Sequence, residues 1–205
     1  MVPGVLDHKF GGTPFTLGIE EELMICDAET LELAQAIDVI VGDLPDDLPG
    51  EVKPELMQSV LEVATLPCAD ITEAADQLRQ LRRCVREVAA RHGLAIGAAG
   101  THPSAHYEDQ LIVDEPRYNE LAAELRWIAQ QELIFGTHVH VGIEDRDFLI
   151  DAMNVARYFA PHILALSSSS SASISRIAGA ATPASCACAM KASRSEEHTS
   201  ELQSP

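Results

Sequence analysis

Carboxylates and imidazoles recur in this chain at spacings suited to holding metal ions. Glu20 and Glu22 stand two residues apart in FTLGIEEELMI (Phe15–Ile25). Residues two apart on an extended strand leave the same face about 7 Å from each other. Like charges placed so cost free energy unless something positive lies between them. A second stretch, VKPELMQSVLEVAT (Val52–Thr65), carries Glu55, Gln58 and Glu62 in an apolar background. A carboxylate within VLEVAT is expensive to bury without a counter-ion. Gln58 and Glu62 share strand parity, whereas Glu55 has the opposite parity and needs a bulge to reach the same side. In GTHVHVG (Gly136–Gly142), His138 and His140 share one strand face and Val139 and Val141 the other. H-x-H also occurs in zinc hydrolases. Here oxygen donors outnumber nitrogen donors, and clustered carboxylates select hard cations such as Mg²⁺ or Mn²⁺, most often paired with substrate phosphates. Each motif alone has a plainer reading as well: a solvated strand face, a glutamate at a strand margin, a polar sheet face.

Several elements must position these residues. Alternation in Phe15–Ile25 predicts a strand with Phe15, Leu17, Ile19, Leu23 and Ile25 on one face, broken only by Glu21. Residues 42–51, GDLPDDLPGE, read as a loop. Val52–Thr65 reads as one further extended segment, irregular or at an edge where Pro54 falls. Asp70 followed by Glu73 is a capping box, and Ala74, Leu78, Leu81, Val85 and Val88 form the apolar stripe of the helix that Gly93 ends. Leu94–Gly100 predicts a short buried strand. Pro116 opens a helix through PRYNELAAELRWIAQQELI, with Leu121, Leu125 and Ile128 on one side. Asp145 or Asp147 caps another helix running to Tyr158, and Pro161 begins HILALS. Strands and helices alternate irregularly, and neither glycine-rich nucleotide motif is present. The expected fold class is α+β, with a mainly antiparallel sheet and packed helices.

The formal net charge of −18 disfavours nucleic acid as a partner, since nothing offsets repulsion from its phosphates. No apolar run approaches membrane-spanning length. MVPGVLDHKFGG lacks the basic and apolar regions of a secretory signal. Cys26, Cys68 and Cys84 are scattered without framework or metal spacing, which suits a reducing cytoplasm.

Four blocks, LGIEEELMICD, VKPELMQSVLEVAT, GAAGTHP and GTHVHVGIED, in this order and spacing, resemble the bacterial carboxylate–amine ligases of the glutamate–cysteine ligase type 2 family, related in fold to glutamine synthetase. The resemblance runs from about Phe15 to Leu166. It implies a partial glutamine synthetase-like domain and an ATP-dependent ligase. The γ-phosphate passes to a substrate carboxylate, and an amine attacks the acyl phosphate to form an amide. By the resemblance Glu20, Glu22, Glu55, Glu62 and His138 are metal ligands for Mg²⁺ or Mn²⁺, with Glu62 bridging, and His140 faces the substrate. Arg117 is a candidate partner for a substrate carboxylate, against the plainer reading of a helix-surface arginine. The implied partners are ATP and a small acid and amine, glutamate and cysteine being the family's named pair, with a homo-oligomer expected for the whole protein. Two rivals stand beside this: a zinc hydrolase built on His138 and His140, and a non-catalytic binding domain with a solvated acidic face.

Relatives in this family continue beyond LALS into strands bearing another metal-binding glutamate and a nucleotide-contacting arginine. Here the text changes character at Ser167, where a run of serines begins. RSEEHTSELQS (Arg194–Ser204) is the first-frame translation of a common short-read sequencing adapter. The expectation is therefore that residues 1–166 are the N-terminal part of a ligase catalytic domain, that residues 167–205 are a non-native or disordered tail, and that this chain is an inactive fragment.

Overall fold

Strand β1 (Leu17–Asp27) is the axis of the fold, because both of its edges are paired. The computed structural model describes residues 15–127 and 131–167. After β1 come α1 (Ile37–Gly42), β2 (Gly50–Pro54), β3 (Val60–Thr65), α2 (Ile71–Arg91), β4 (Leu94–Gly97), a 3₁₀ turn (Tyr107–Asp109), α3 (Pro116–Leu125), β5 (Thr137–Val141) and α4 (Arg146–Ser167). The sheet order is β2-β3-β1-β4, with β5 also paired to β1, and every pairing is antiparallel. One edge of β1 holds β3. The other is shared: β5 pairs with Leu17–Glu21 and β4 with Met24–Asp27. The expected α+β class with an antiparallel sheet is what the structure has.

The parity read from the sequence sorts the two faces. Ile19, Glu21, Leu23 and Ile25 of β1 lie beside Leu61 and Val63 of β3, and all are buried. Helix α2 covers this face with Ala74, Leu78, Leu81, Val85 and Val88, the stripe predicted for it. Glu21 interrupts that face and is only 8% exposed. Arg82 of α2 answers it with a two-pronged contact, its Nε donating to Glu21 Oε2 at 2.7 Å and its NH2 group to Oε1. With Arg82 half-exposed the pair adds little net stability, yet without it a buried carboxylate would be left uncompensated. Asp70 caps α2 by accepting from the amides of Thr72 and Glu73, while Glu73 accepts from Ala69 N–H at 2.7 Å. The helix ends at Gly93, whose φ of +69° suits a residue without a side chain.

Several expectations need correction. Val52–Thr65 is two antiparallel strands and not one, because the chain reverses after Pro54 and Val60 N–H bonds back to Met57 O. Pro54 closes β2, the outer strand of the sheet, where its missing donor is tolerated. Strand β4 is shorter than Leu94–Gly100 and half-buried. Helix α3 stops at Leu125, where Arg126 takes φ +52°, and Tyr118 provides its buried contact while Leu121 and Leu125 are exposed. Ile128 lies outside the described residues. Asp145 provides the turn into α4 by accepting from Asp147 and Phe148 N–H, and the helix carries through Pro161, whose ring keeps a helical φ. The tail expected from residue 167 lies, beyond Ser167 itself, outside the described residues.

Helix α4 stands apart from the sheet core. Phe148, Ile150, Met153, Val155 and Tyr158 on it are exposed, and Phe148 meets the ring of Phe15 edge-on. No helix among the described residues is long and apolar enough to cross a membrane.

The packing of α2 on the sheet generates a direct test. Leu81 is fully buried in the α2–sheet layer, whereas Leu121 on α3 is 37% exposed. Leu81→Ala should lower the free energy of unfolding by about 2–5 kcal/mol in urea titrations. Leu121→Ala should cost a clearly smaller amount.

Candidate functional site

The face of β1 opposite α2 carries the acidic and imidazole groups, and the strand register decides which of them meet. Glu22 lies directly across from Glu62 of β3, Glu20 across from His138 of β5, and Gly18 across from His140. The reversal between β2 and β3 brings in Glu55. One carboxylate oxygen each from Glu22, Glu55 and Glu62 lie within 4.8 Å of one another. No bulge is involved, because Glu55 belongs to the turn and not to a strand. Gln58, which shared parity with Glu62 in the sequence, is turned away and donates to Ile112 O.

Glu20 serves the histidines. Its Oε2 lies 3.1 Å from both His138 Nδ1 and His140 Nε2. A carboxylate only accepts, so His138 Nδ1 carries the proton in that hydrogen bond and its Nε2 is left as a ligand-capable lone pair. That nitrogen lies on the Gly136 side of the site, near Glu22: a Cβ added at Gly136 would sit 3.7 Å from His138 Nε2 and 3.4 Å from Glu22 Oε2. The contact between His140 Nε2 and Glu20 is close but not aligned as a hydrogen bond, and this buried nitrogen has no other partner. Glu22 Oε2 in turn accepts from the Gly136 amide at 2.7 Å.

The electrostatics differ among the carboxyl groups. Burial raises Glu22, the Gly136 amide opposes that, and repulsion from Glu55 and Glu62 leaves its pKa above the ordinary value. Glu62 is likewise raised, first by burial and then by Glu20 and Glu55, with Lys53 opposing. Glu20 is pushed up by burial but ends below the ordinary value, because its contacts with His140 and His138 outweigh it. Glu62 is 8% exposed, and its Oε1 has no aligned hydrogen bond although Lys53 Nζ lies 2.9 Å away. A buried, incompletely satisfied carboxylate oxygen beside two repelling carboxylates is the donor set that a hard divalent cation fits.

Arg117 is exposed on the first turn of α3, its guanidinium 5.4 Å from the ring centroid of Tyr118. Tyr118 is the link from there to the cluster. Its hydroxyl donates to Pro54 O at 2.9 Å, next to Glu55, and burial together with Glu55 pushes its pKa up to about 12. The sequence reading missed Tyr118 and Lys53. Only the cross-strand position of Lys53 opposite Glu62 could have signalled it, and that requires knowing that the chain reverses.

Comparison with known proteins adds to this geometry. The model of the family described as glutamate-cysteine ligase family 2 matches residues 16–172. The chain belongs to this family. Among relatives, one from Roseiflexus sp. (strain RS-1) named "Putative glutamate--cysteine ligase 2" is 48% identical over 157 residues, covering 77% of this chain and 41% of the relative. One of the same name from Jannaschia sp. (strain CCS1) is 45% identical over 163 residues, covering 80% and 43%. The chain thus spans about two-fifths of the length of such relatives. A crystal structure of glutamate–cysteine ligase from Francisella tularensis in complex with AMP shares the fold, with a TM-score of 0.50 and 19% identity over 73% of this chain and 32% of that one.

The raised carboxyl of Glu22 has a consequence for stability. A folded-state pKa above the unfolded one means that the native state binds the extra proton, so Glu22 costs stability as pH rises from 4.5 through its folded value. Glu22→Gln should therefore melt at a higher temperature than the unaltered protein at pH 7. The gain should vanish below pH 4.5, as read by paired thermal melts across that range. Glu20, whose pKa is lowered, has the opposite sign: its contribution is present above 4.5 and lost as pH falls through its folded value.

Proposed function

We propose that this chain is the N-terminal part of the catalytic domain of an ATP-dependent carboxylate–amine ligase, with residues 1–166 as that part and its acidic sheet face as the metal half of the active site. The observation that carries this is the meeting of Glu22, Glu55 and Glu62, one carboxylate oxygen of each lying within 4.8 Å of the others. In the proposed reaction a substrate carboxylate oxygen attacks the γ-phosphorus of ATP, releasing ADP and giving an acyl phosphate. An amine nitrogen then displaces phosphate and loses a proton to form the amide. Glutamate and cysteine are the acid and amine that the relatives' name suggests, and the AMP bound to the Francisella enzyme supports an adenine nucleotide. Scattered thiols, buried at Cys26 and Cys68, support a cytoplasmic location.

Glu22, Glu55 and Glu62 would hold the divalent cation, with His138 Nε2 beside them. Bound Mg²⁺ supplies charge neutralisation for the triphosphate. The chain's own residues do the positioning. The antiparallel register fixes Glu22 against Glu62, the Gly136 amide orients Glu22, and Glu20 sets the tautomer of His138 and steadies His140, the residue assigned to the substrate. A zinc hydrolase on His138 and His140 is less well supported, because His140 Nε2 is turned to Glu20 and only His138 Nδ1, not its Nε2, shares that contact. Among the described residues, the group of three that could hold a metal is all carboxylate.

Mn²⁺ is the probe for the test, with binding followed by electron paramagnetic resonance. Weak Mn²⁺ binding tightened by ATP is expected, and Glu62→Gln should weaken it by on the order of tenfold or more. Tight Zn²⁺ binding that is indifferent to ATP and abolished by His138→Ala would contradict the ligase reading. Absence of any Glu62-dependent Mn²⁺ binding would leave the acidic face as a solvated surface.

A further inference from the structure

One lysine reaches into the acidic face. Lys53 on β2 pairs in register with Glu62, and its Nζ lies 2.9 Å from Glu62 Oε1. Its side chain is 44% exposed against 11% for that of Glu62, so the ammonium enters the cluster from the solvent edge. Burial works against the charged form of Lys53, yet Glu62, with Glu20 and Glu51 behind it, holds its pKa above the ordinary value. The contact is not aligned as a hydrogen bond and leaves Glu62 Oε1 unsatisfied. The attraction is thus one of charge, on a flexible four-carbon stem that can swing away without disturbing the sheet.

A carboxylate on which a lysine and a divalent cation both converge is contested. With the cation bound, Lys53 would be a positive charge facing another, and its ammonium would be released to meet an anion that arrives with the cation. The phosphate groups of a nucleotide drawn to that cation supply one, and a lysine ammonium binds phosphate as a point charge. We infer that Lys53 is a further binding residue of this site, competing with a divalent cation for the Glu62 carboxylate and transferring its ammonium to the phosphates when cation and nucleotide are bound together. This rests on the metal-site reading above. It makes cation binding depend on the nucleotide: Lys53 weakens the first without the second and strengthens the two together.

The test is Mn²⁺ titration of the full chain, of Lys53→Gln and of Lys53→Arg, each with and without ATP, with thermal melts to follow folding. Lys53→Gln should bind Mn²⁺ alone about threefold or more tighter, the scale of one part-exposed charge contact. The factor by which ATP tightens Mn²⁺ binding should fall at least as much. Lys53→Arg, which keeps the charge, should restore the original pattern in direction. Affinities that rise together with and without ATP would mean simple removal of a positive charge, and would overturn the phosphate role. Affinities that fall together with the melting temperature would mean a structural lysine, and unchanged affinities would overturn the inference outright. If Glu62→Gln leaves Mn²⁺ binding intact, the metal-site reading itself fails. If Glu62→Gln abolishes binding but Lys53→Gln has no effect, only the present inference fails.

Discussion

Backbone hydrogen bonding between β1 and β3 forces two carboxylates together whether or not they attract. The register sets Glu22 opposite Glu62, and the turn after Pro54 adds Glu55, so three acidic groups share a space less than 5 Å across. Slipping the register by one residue would relieve this repulsion. Slipping β3 in this way would also turn its Leu61 and Val63 out of the core. The hydrophobic layer under α2 therefore holds the carboxylates in place, and the raised pKa values of Glu22 and Glu62 record the cost. Such a cost is tolerated at sites whose occupant returns it on binding.

The two faces of β1 solve opposite electrostatic problems. On the covered face a lone Glu21 is neutralised within the fold by Arg82, and the pair closes onto itself. On the other face Glu20, Glu22 and Glu62 have Lys53 and two histidines as their counterweights, and the Lys53 contact on Glu62 Oε1 is not aligned as a hydrogen bond. The first arrangement is complete without a ligand. The second gains by admitting a cation, and its oxygen-rich composition favours a hard one. That asymmetry along one strand connects the core to the chemistry of the site.

Much of this was legible in the sequence because strand periodicity is strict. The parity of FTLGIEEELMI separated Glu21 from Glu20 and Glu22, and that of GTHVHVG set His138 and His140 on one face. The Asp70 cap and the α2 stripe follow from local rules and were read directly. What escaped depends on contacts distant along the chain. The reversal at residues 55–59 carries no glycine or proline, and apolar Leu56 and Met57 lie between Val52 and Val60, so strand parity alone asked a bulge of Glu55. The partners of Glu21 and Glu62, Arg82 and Lys53, have no local signal in the sequence and are found only when the fold places them. Tyr118 was hidden because α3 buries one aromatic and not the leucine stripe its sequence offers.

The most direct measurement is anomalous diffraction from crystals of this chain grown with MnCl₂ and a non-hydrolysable ATP analogue. The account predicts an anomalous peak within coordination distance of Glu22, Glu55 and Glu62, with Lys53 withdrawn from Glu62. A peak held by His138 and His140 alone, or none on this face of the sheet, would contradict it.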